Sequence, residues 1–439
     1  MFDPAFSHPA FIRNEPVRAW SFPQQVAILL RRCLQLVVTF VLSLPFWPMY
    51  LVLRLFWQRP PIVPSNARYA RGLRMVLFDR DPHGPTFLMR ISLFLELIRR
   101  ACSDGVWGLA WLWDEVVWGR KLRQVQIVEP IFEISAARSG STQLARYLED
   151  DPRISSPNTL QVTIPYLWSW RFGPWLERLL PKDFLEKLSH DVLPPEHHER
   201  HEVDLRRTDT FEMMYWATFH WGELLLSASP KAFMEEFCLD RVHDDCRELW
   251  ADDFLRFIDA IGRKTLLHAG RDAQGKLPQL LIKGHFLHAL PELARRYPDA
   301  RFLTMIRVPE KRLQSLLNFL RCQGTVAPCP PFPWAWITEY LCTREIDYCE
   351  TEMEWFERQD GPNRCVVRFD EYVKDLPGTI ERVYREGLGR EPPANMPREH
   401  AARTRSNYSV DRSFAEAGID EAAMKERLEA YRKWCKARR

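Results

Sequence analysis

The stretch AARSGSTQ, residues 136–143, gathers donors suited to an anion. Ser139, Gly140, Ser141 and Thr142 follow an apolar run and open a helical one, so the first helical turn offers N–H groups and the positive end of the dipole. Gly140 lets the backbone approach a ligand closely. Ser141 and Thr142 add hydroxyls, and Arg138 adds a fixed charge with a fork of donors. The same residues also suit an ordinary capped helix, so the loop alone does not decide. A magnesium triphosphate is the poorer fit. The G-x-x-x-x-G-K-[ST] pattern is absent: Ala136 and Ala137 occupy part of the loop, and Arg138 precedes the glycine where that pattern has a lysine after it. Nor does an apolar strand ending in an aspartate offer itself for magnesium.

The elements that must position this loop follow from the pattern around it. From Val125 onward, short apolar runs alternate four times with helical ones. VQIVEPIFEIS precedes the loop and STQLARYLED. LPQLLIKG precedes a helical stretch ending at RRYP. ARFLTMIR precedes PEKRLQSLLNFL, and RCVVRF precedes DEYVKDLPGTIERVYRE. This alternation predicts an α/β fold, a parallel sheet flanked by helices. Ligands in such folds sit beyond the carboxyl ends of the strands, where the loops after Ser135, Lys283 and Arg307 would lie. Between Pro157 and Asp272 the pattern gives a long helical insertion rich in aromatics. Its DTFEMMYWATFHWGELLL suits either an acceptor pocket or the core.

Residues 125 to about 430 resemble the sulfotransferase superfamily, whose members transfer a sulfonyl group from 3′-phosphoadenosine 5′-phosphosulfate. Arg138 to Thr142 match the family's [KR]-S-G-[ST]-T, a strand–loop–helix that cradles the 5′-phosphosulfate. LTMIRVPEKRLQSL matches a second signature through Arg307, Pro309 and Ser315, and in the family that arginine and serine bind the donor's 3′-phosphate. Lys283 and His285, in LIKGHFLHAL, match a K-x-H found at a third strand end. The resemblance implies a P-loop-like three-layer fold and donor contacts from Arg138, Ser139, Gly140, Ser141, Thr142, Arg307 and Ser315. It also implies in-line transfer to a hydroxyl or amine with no metal. His285 would take the acceptor proton, as a histidine near neutral pKa can. Lys283 and Arg138 would stabilise charge on the sulfonyl oxygens and leaving phosphate. His288, one turn from His285, is read as structural.

The tail SNYSVDRSFAEAGID and its following helix resemble the closing segment of one branch, but the R-K-G triplet of the cytosolic branch is missing. Arg403, Arg405 and Tyr408 are speculative substitutes. Asn158 stands where this branch commonly has a glutamate, which puts more weight on His285. Many relatives have a glycine and a proline where Ala136 and Ala137 stand. A kinase-like nucleotide enzyme and a non-catalytic membrane scaffold of the same fold are the alternatives.

The 439 residues, with 46% hydrophobic types, are ample for a core. A net charge of +3 without a dominant basic block gives no case for nucleic acid. The run Cys33 to Leu53 carries no charge and would form a helix of about 31 Å, long enough to cross the hydrocarbon core. Pro45 and Pro48 interrupt it, so a single span, a re-entrant or interfacial hairpin and a buried helix all remain open. Arginines flank both ends, so orientation and compartment are undecided. FLMRISLFLELI and WGLAWLWDEVVW read as amphipathic helices. The expected organisation is a membrane-associated segment over 1–60, an amphipathic helical linker region over 61–124 that begins in the proline-rich RPPIVPSN, and a catalytic domain over 125–439. Small-molecule, lipid and saccharide acceptors all fit.

The ten cysteines include Cys322, Cys329, Cys342 and Cys349 in one short region, read as reduced and buried. His197, His198 and His201 read as a solvated helix start more readily than a metal site. Asn407 opens the one glycosylation sequon.

Overall fold

The structure is a computed structural model that describes residues 21–80, 84–179, 181, 184, 187, 204–211, 215, 218–229, 244–323, 345, 348–357, 363–394, 413–415 and 419–437. His197, His198, His201, Cys329, Cys342, Arg403, Arg405, Asn407 and Tyr408 lie outside them, as do the side chains of His288 and Cys322.

Five strands, β1 (Ile131–Glu133), β2 (Ile154–Ser155), β3 (Gln279–Lys283), β4 (Arg301–Ile306) and β5 (Arg364–Arg368), form a parallel sheet in the order β2-β3-β1-β4-β5. Alternate residues along each strand enter separate cores. Phe132, Leu280, Ile282 and Phe302 join one, and Ile131, Leu281, Leu303, Met305 and Val367 join the other. A parallel strand buried on both faces is largely apolar, which is why these strands read as apolar runs with few polar residues, among them Glu133, Lys283 and Thr304.

The helices form the outer two layers. α1 (Phe22–Ser43), α2 (Trp47–Arg54), α3 (Asn66–Leu77) and α4 (Phe87–Gln124) precede the sheet. α5 (Ser141–Glu149) follows β1, and α6 (Thr159–Thr163), α7 (Leu167–Glu177), α8 (Gly222–Ala228) and α9 (Asp244–Ala269) lie between β2 and β3. α10 (Leu290–Arg296) and α11 (Pro309–Gln323) flank β4. α12 (Phe369–Lys374), α13 (Leu376–Arg382), α14 (Glu421–Arg427) and α15 (Glu429–Ala437) close the chain. α5, α12 and α13 cover one face through Leu144, Leu148, Tyr372, Leu376 and Ile380, while α4, α9, α10, α11 and α15 cover the other. β1 leads past β3 to β2 while its neighbour β4 leads to β5, so the connections from these adjacent carboxyl ends depart in opposite directions, the geometry that opens a binding crevice.

Two features of the N-terminal part differ from the sequence pattern. FLMRISLFLELI and WGLAWLWDEVVW belong to one 38-residue helix, α4. Pro45 and Pro48 do not turn the apolar segment back. Each falls at the start of a helical turn, the 3-10 turn Leu44–Phe46 and α2, where a missing N–H costs little. Phe22–Arg54 is therefore a continuous 33-residue helical path. The proline-rich stretch after it is packed: Ile62 and Val63 are buried, His220 Nε2 lies 3.3 Å from the Pro61 carbonyl, and Arg59 pairs with Asp253 of α9.

A buried ion pair ties α4 to the sheet domain. Lys264 Nζ lies 2.9 Å from Asp114 Oδ2, donates to the Pro165 carbonyl at 2.8 Å and sits 3.4 Å above the Trp111 ring. Asp114 also accepts from the Leu167 and Trp168 amides at 2.6 and 3.0 Å. Removing one partner strands the other charge away from water. Lys264→Met is expected to destabilise the fold by about 3 kcal/mol, read by denaturant unfolding. An unchanged midpoint would show that this pair does not hold the helical layer to the sheet.

Candidate active site

The carboxyl ends of the three central strands, β3, β1 and β4, carry the three groups of residues singled out in the sequence. After β1 the chain enters the left-handed region twice, at Arg138 (φ 64°) and Gly140 (φ 100°). Arg138 is an L-residue in a conformation that costs about a kilocalorie or more, so its neighbours must hold it there. The Ser139 hydroxyl donates to the Ala136 carbonyl at 2.7 Å and ties the turn internally. Ala136 is fully buried in the core, which explains a small residue there. Gly140 precedes α5 without a side-chain cap, and Ser141 and Thr142 begin that helix. A Cβ on Gly140 would meet the Phe369 ring at 2.8 Å and Met305 Sδ at 2.9 Å. Sterics and φ thus both require glycine.

Arg138, Arg307 and Ser315 meet at this loop. Arg307 Nη1 donates to the Arg138 carbonyl at 2.9 Å, and Arg138 Nε donates to Ser315 Oγ at 3.0 Å. The Arg307 guanidinium also lies 4.4 Å over the Phe369 ring, a favourable cation–π geometry. Arg307 and Ser315 were expected to converge on a common ligand; here Arg138 stands between them and joins them to the β1 loop.

The β3 end contributes the other pair. His285 Nδ1 lies 2.7 Å from the Ser135 carbonyl. A carbonyl only accepts, so Nδ1 carries a proton, and in the neutral ring the basic nitrogen is Nε2. The Tyr348 hydroxyl donates to the His285 carbonyl at 2.7 Å and fixes the backbone there. Lys283 is buried and points to the insertion, donating to Thr210 Oγ1 at 2.9 Å and lying 3.5 Å from Asp209 Oδ1. Lys283 and Arg138 therefore engage different neighbours, Lys283 the insertion and Arg138 the α11 side.

Several of these residues carry no motif in the sequence. Asp209, Thr210 and Tyr348 come from distant segments, and only their place in space marks them. Glu133 and Ser135 lie beneath the loop. The Ser135 hydroxyl donates to Glu133 Oε1, and Ser135 Oγ accepts from the Met305 amide at 2.6 Å. Burial pushes the Glu133 carboxyl up to about 7, against the charge of Lys283 and the hydrogen bonds from Ser135. On α11, one turn before Ser315, buried Arg312 pairs with Glu345 and with Glu352 at 3.4 Å. Glu352 also accepts from Thr304 of β4 and Tyr431 of α15. Asn158 caps α6, accepting from the Gln161 amide at 2.8 Å. Within the insertion Phe211, Tyr215 and Phe219 are core and pack on Phe257 with ring centroids 5.4, 4.5 and 5.6 Å apart, while Phe172 and Trp175 are more than half exposed.

Comparison with known proteins places the family and the fold. A profile described as the sulfotransferase family matches residues 130–389. Sulfotransferase STF1 from Mycobacterium tuberculosis superposes with a TM-score of 0.54 at 17% identity, over 87% of this chain and 98% of that one. Sulfotransferase STF9 from Mycobacterium avium gives 0.60 at 16% identity, over 85% and 92%. At such identities the two structures speak to the fold alone. No curated protein matches the chain.

The raised Glu133 pKa makes the fold less stable as pH rises. Below about 4.5 the carboxyl is protonated folded and unfolded. As pH rises to about 7 the unfolded chain releases the proton and the folded one keeps it, so folding loses stability across that window and no more above it. Relative to Glu133→Gln, the wild type is expected to lose up to ~3 kcal/mol between these limits, measured by urea unfolding at each pH. A difference that stays flat with pH would show that Glu133 is not held protonated.

Proposed function

The chain belongs to the sulfotransferase family, and from that premise we propose that it moves a sulfonyl group from 3′-phosphoadenosine 5′-phosphosulfate to an acceptor hydroxyl or amine. The observation that carries this reading is the Arg307–Arg138–Ser315 cluster, in which the second strand-end motif is hydrogen-bonded to the loop of the first. The loop from Arg138 to Thr142 holds the 5′-phosphosulfate at the start of α5, where the first N–H groups of the helix face the anion. Arg307 and Ser315 take the 3′-phosphate, a dianion that rewards charged donors.

His285 Nε2 accepts the acceptor's proton as the new oxygen–sulfur bond forms on the face opposite the breaking bridge bond. Adenosine 3′,5′-bisphosphate leaves. Arg138 and Lys283 stabilise negative charge on the sulfonyl oxygens and the leaving phosphate. The step as written uses no metal. The hydrogen bond from Nδ1 to the Ser135 carbonyl supports the role of His285, because it selects the tautomer with a basic Nε2. The apolar helical path at the N-terminus supports attachment to a membrane, and with it a lipid or other apolar alcohol as acceptor; saccharides fit the same chemistry.

Two substitutions separate binding from chemistry. Arg307→Ala is expected to weaken adenosine 3′,5′-bisphosphate binding at least ~10-fold by calorimetry, since hydrogen bonds to charged groups contribute about 1.5–3 kcal/mol. Unchanged affinity would remove the second motif from the site. His285→Ala is expected to lower turnover of labelled donor by about 10²–10⁴ and to leave bisphosphate affinity nearly unchanged. Retained turnover would assign the base elsewhere.

A further inference from the structure

The apolar N-terminal path does not stand alone. It runs alongside α4 from end to end. Thr86, at the start of α4, donates to Gln25 at 2.5 Å, and Arg32 lies 2.8 Å from Glu96. Trp47 donates to the Cys102 carbonyl at 3.0 Å. Tyr50 packs so closely on Gly108 that a Cβ there would lie 2.3 Å from its ring. α3 lies along the same helix in the other direction: Tyr69 bonds to Asp104, and Arg90 of α4 donates to the Val76 carbonyl at 3.0 Å.

The side of α1–α2 turned away from α4 is apolar. Leu30, Leu34, Val37, Val41, Leu44 and Leu51 are each more than half exposed, and Leu55 and Phe56 are 80% and 74% exposed. Arg31 and Arg54 stand as the exposed or half-exposed charges of this path. Beyond the end of α2 the surface continues on α4 with Trp113, Val116 and Val117, each about half exposed. Such a surface covers on the order of 1,000 Å², above the few hundred that a soluble monomer shows.

We propose that α1 and α2 lie flat in the interface of one anionic leaflet, half-embedded, and do not cross the bilayer. A crossing helix would take α4 with it, because the two are joined along their length. α4 carries Arg90, Glu96, Arg99, Arg100 and Asp104 over that stretch, and α3 adds Arg68, Arg71 and Arg74. Burial works against ionisation of Glu96, but hydrogen bonds from Arg99 and Arg100 and the charge of Arg32 outweigh it and bring its pKa to about 2, so Glu96 and the arginines around it stay charged, whereas burial raises Asp104 to about 7. Each charge at the bilayer centre costs about 2.5–3.5 kcal/mol even on the lenient insertion scale. Lying flat, the unit gives lipid only its apolar side. Charge selects the leaflet: the first 124 residues hold 16 arginines and lysines against 8 acidic residues, although the whole chain is only +3.

The inference rests on the membrane attachment proposed above and is independent of the transfer chemistry. The test uses the full chain, with Cys33→Ser as background and Leu30→Cys, Val41→Cys or Leu51→Cys carrying a fluorophore. Each variant is bound to vesicles of phosphatidylcholine and phosphatidylglycerol that contain lipids brominated at set depths. Equal, shallow quenching at the three positions is expected, with binding at least ~10-fold weaker to phosphatidylcholine alone. A deep Val41 between shallow ends would overturn the flat orientation and establish a span. Tight binding without quenching, with dimers in the ultracentrifuge, would give the surface to a second copy of the chain. No vesicle binding at all would remove the attachment itself. A Leu34→Asp variant that keeps the unfolding midpoint but loses vesicle binding would confirm the role of that face.

Discussion

A loop proposed to receive an anion cannot be made rigid by filling its mouth. Its shape has to be held from behind, and here the hydrogen bond from Arg307 to the Arg138 carbonyl does this. Arg138 occupies a left-handed conformation that an isolated chain would leave. The Arg307 bond at its carbonyl and the Ser315 bond at its side chain oppose that escape. The same contacts couple β4 and α11 to the β1 loop, so the groups proposed to hold the donor's 3′-phosphate and its 5′-phosphosulfate form one unit. Phe369 completes it, stacking on Arg307 and closing against Gly140.

Behind this unit lies a buried polar layer. Ser135 links the Glu133 carboxyl to the Met305 amide, and its carbonyl receives His285. The β1 strand end therefore sets the orientation of the proposed base as well as the path of the anion loop. Arg312, between Glu345 and Glu352, anchors α11 from below and draws α15 to the same helix through Tyr431. Breaking any of these contacts leaves a buried charge or donor without its partner, which costs more than the contact itself contributes.

Much of this was legible in the sequence because the fold makes its central strands apolar on both faces. β1, β3, β4 and β5 stand out as runs of Ile, Leu, Phe and Val, and glycine, serine and arginine mark where they end. β2, with two residues, leaves no such run. The single long α4 is hidden because the polar stretch RRACSDG separates its two apolar runs; Gly108 is where Tyr50 meets the helix. Asp209 and Thr210 reach Lys283 across more than seventy residues of chain, and no local pattern announces such a meeting. Asn158 illustrates the reverse: a residue notable against family habit serves here as a helix cap.

The central claim is that one site recognises both phosphate-bearing ends of the donor without a metal. The direct measurement is calorimetric titration of the wild-type protein, in the presence of a chelator, with adenosine 3′,5′-bisphosphate and with adenosine 5′-phosphate. The account predicts that the bisphosphate binds at least ~10-fold more tightly, the difference being the 3′-phosphate held by Arg307 and Ser315. Equal affinities, or binding that appears only for a triphosphate with magnesium, would contradict it.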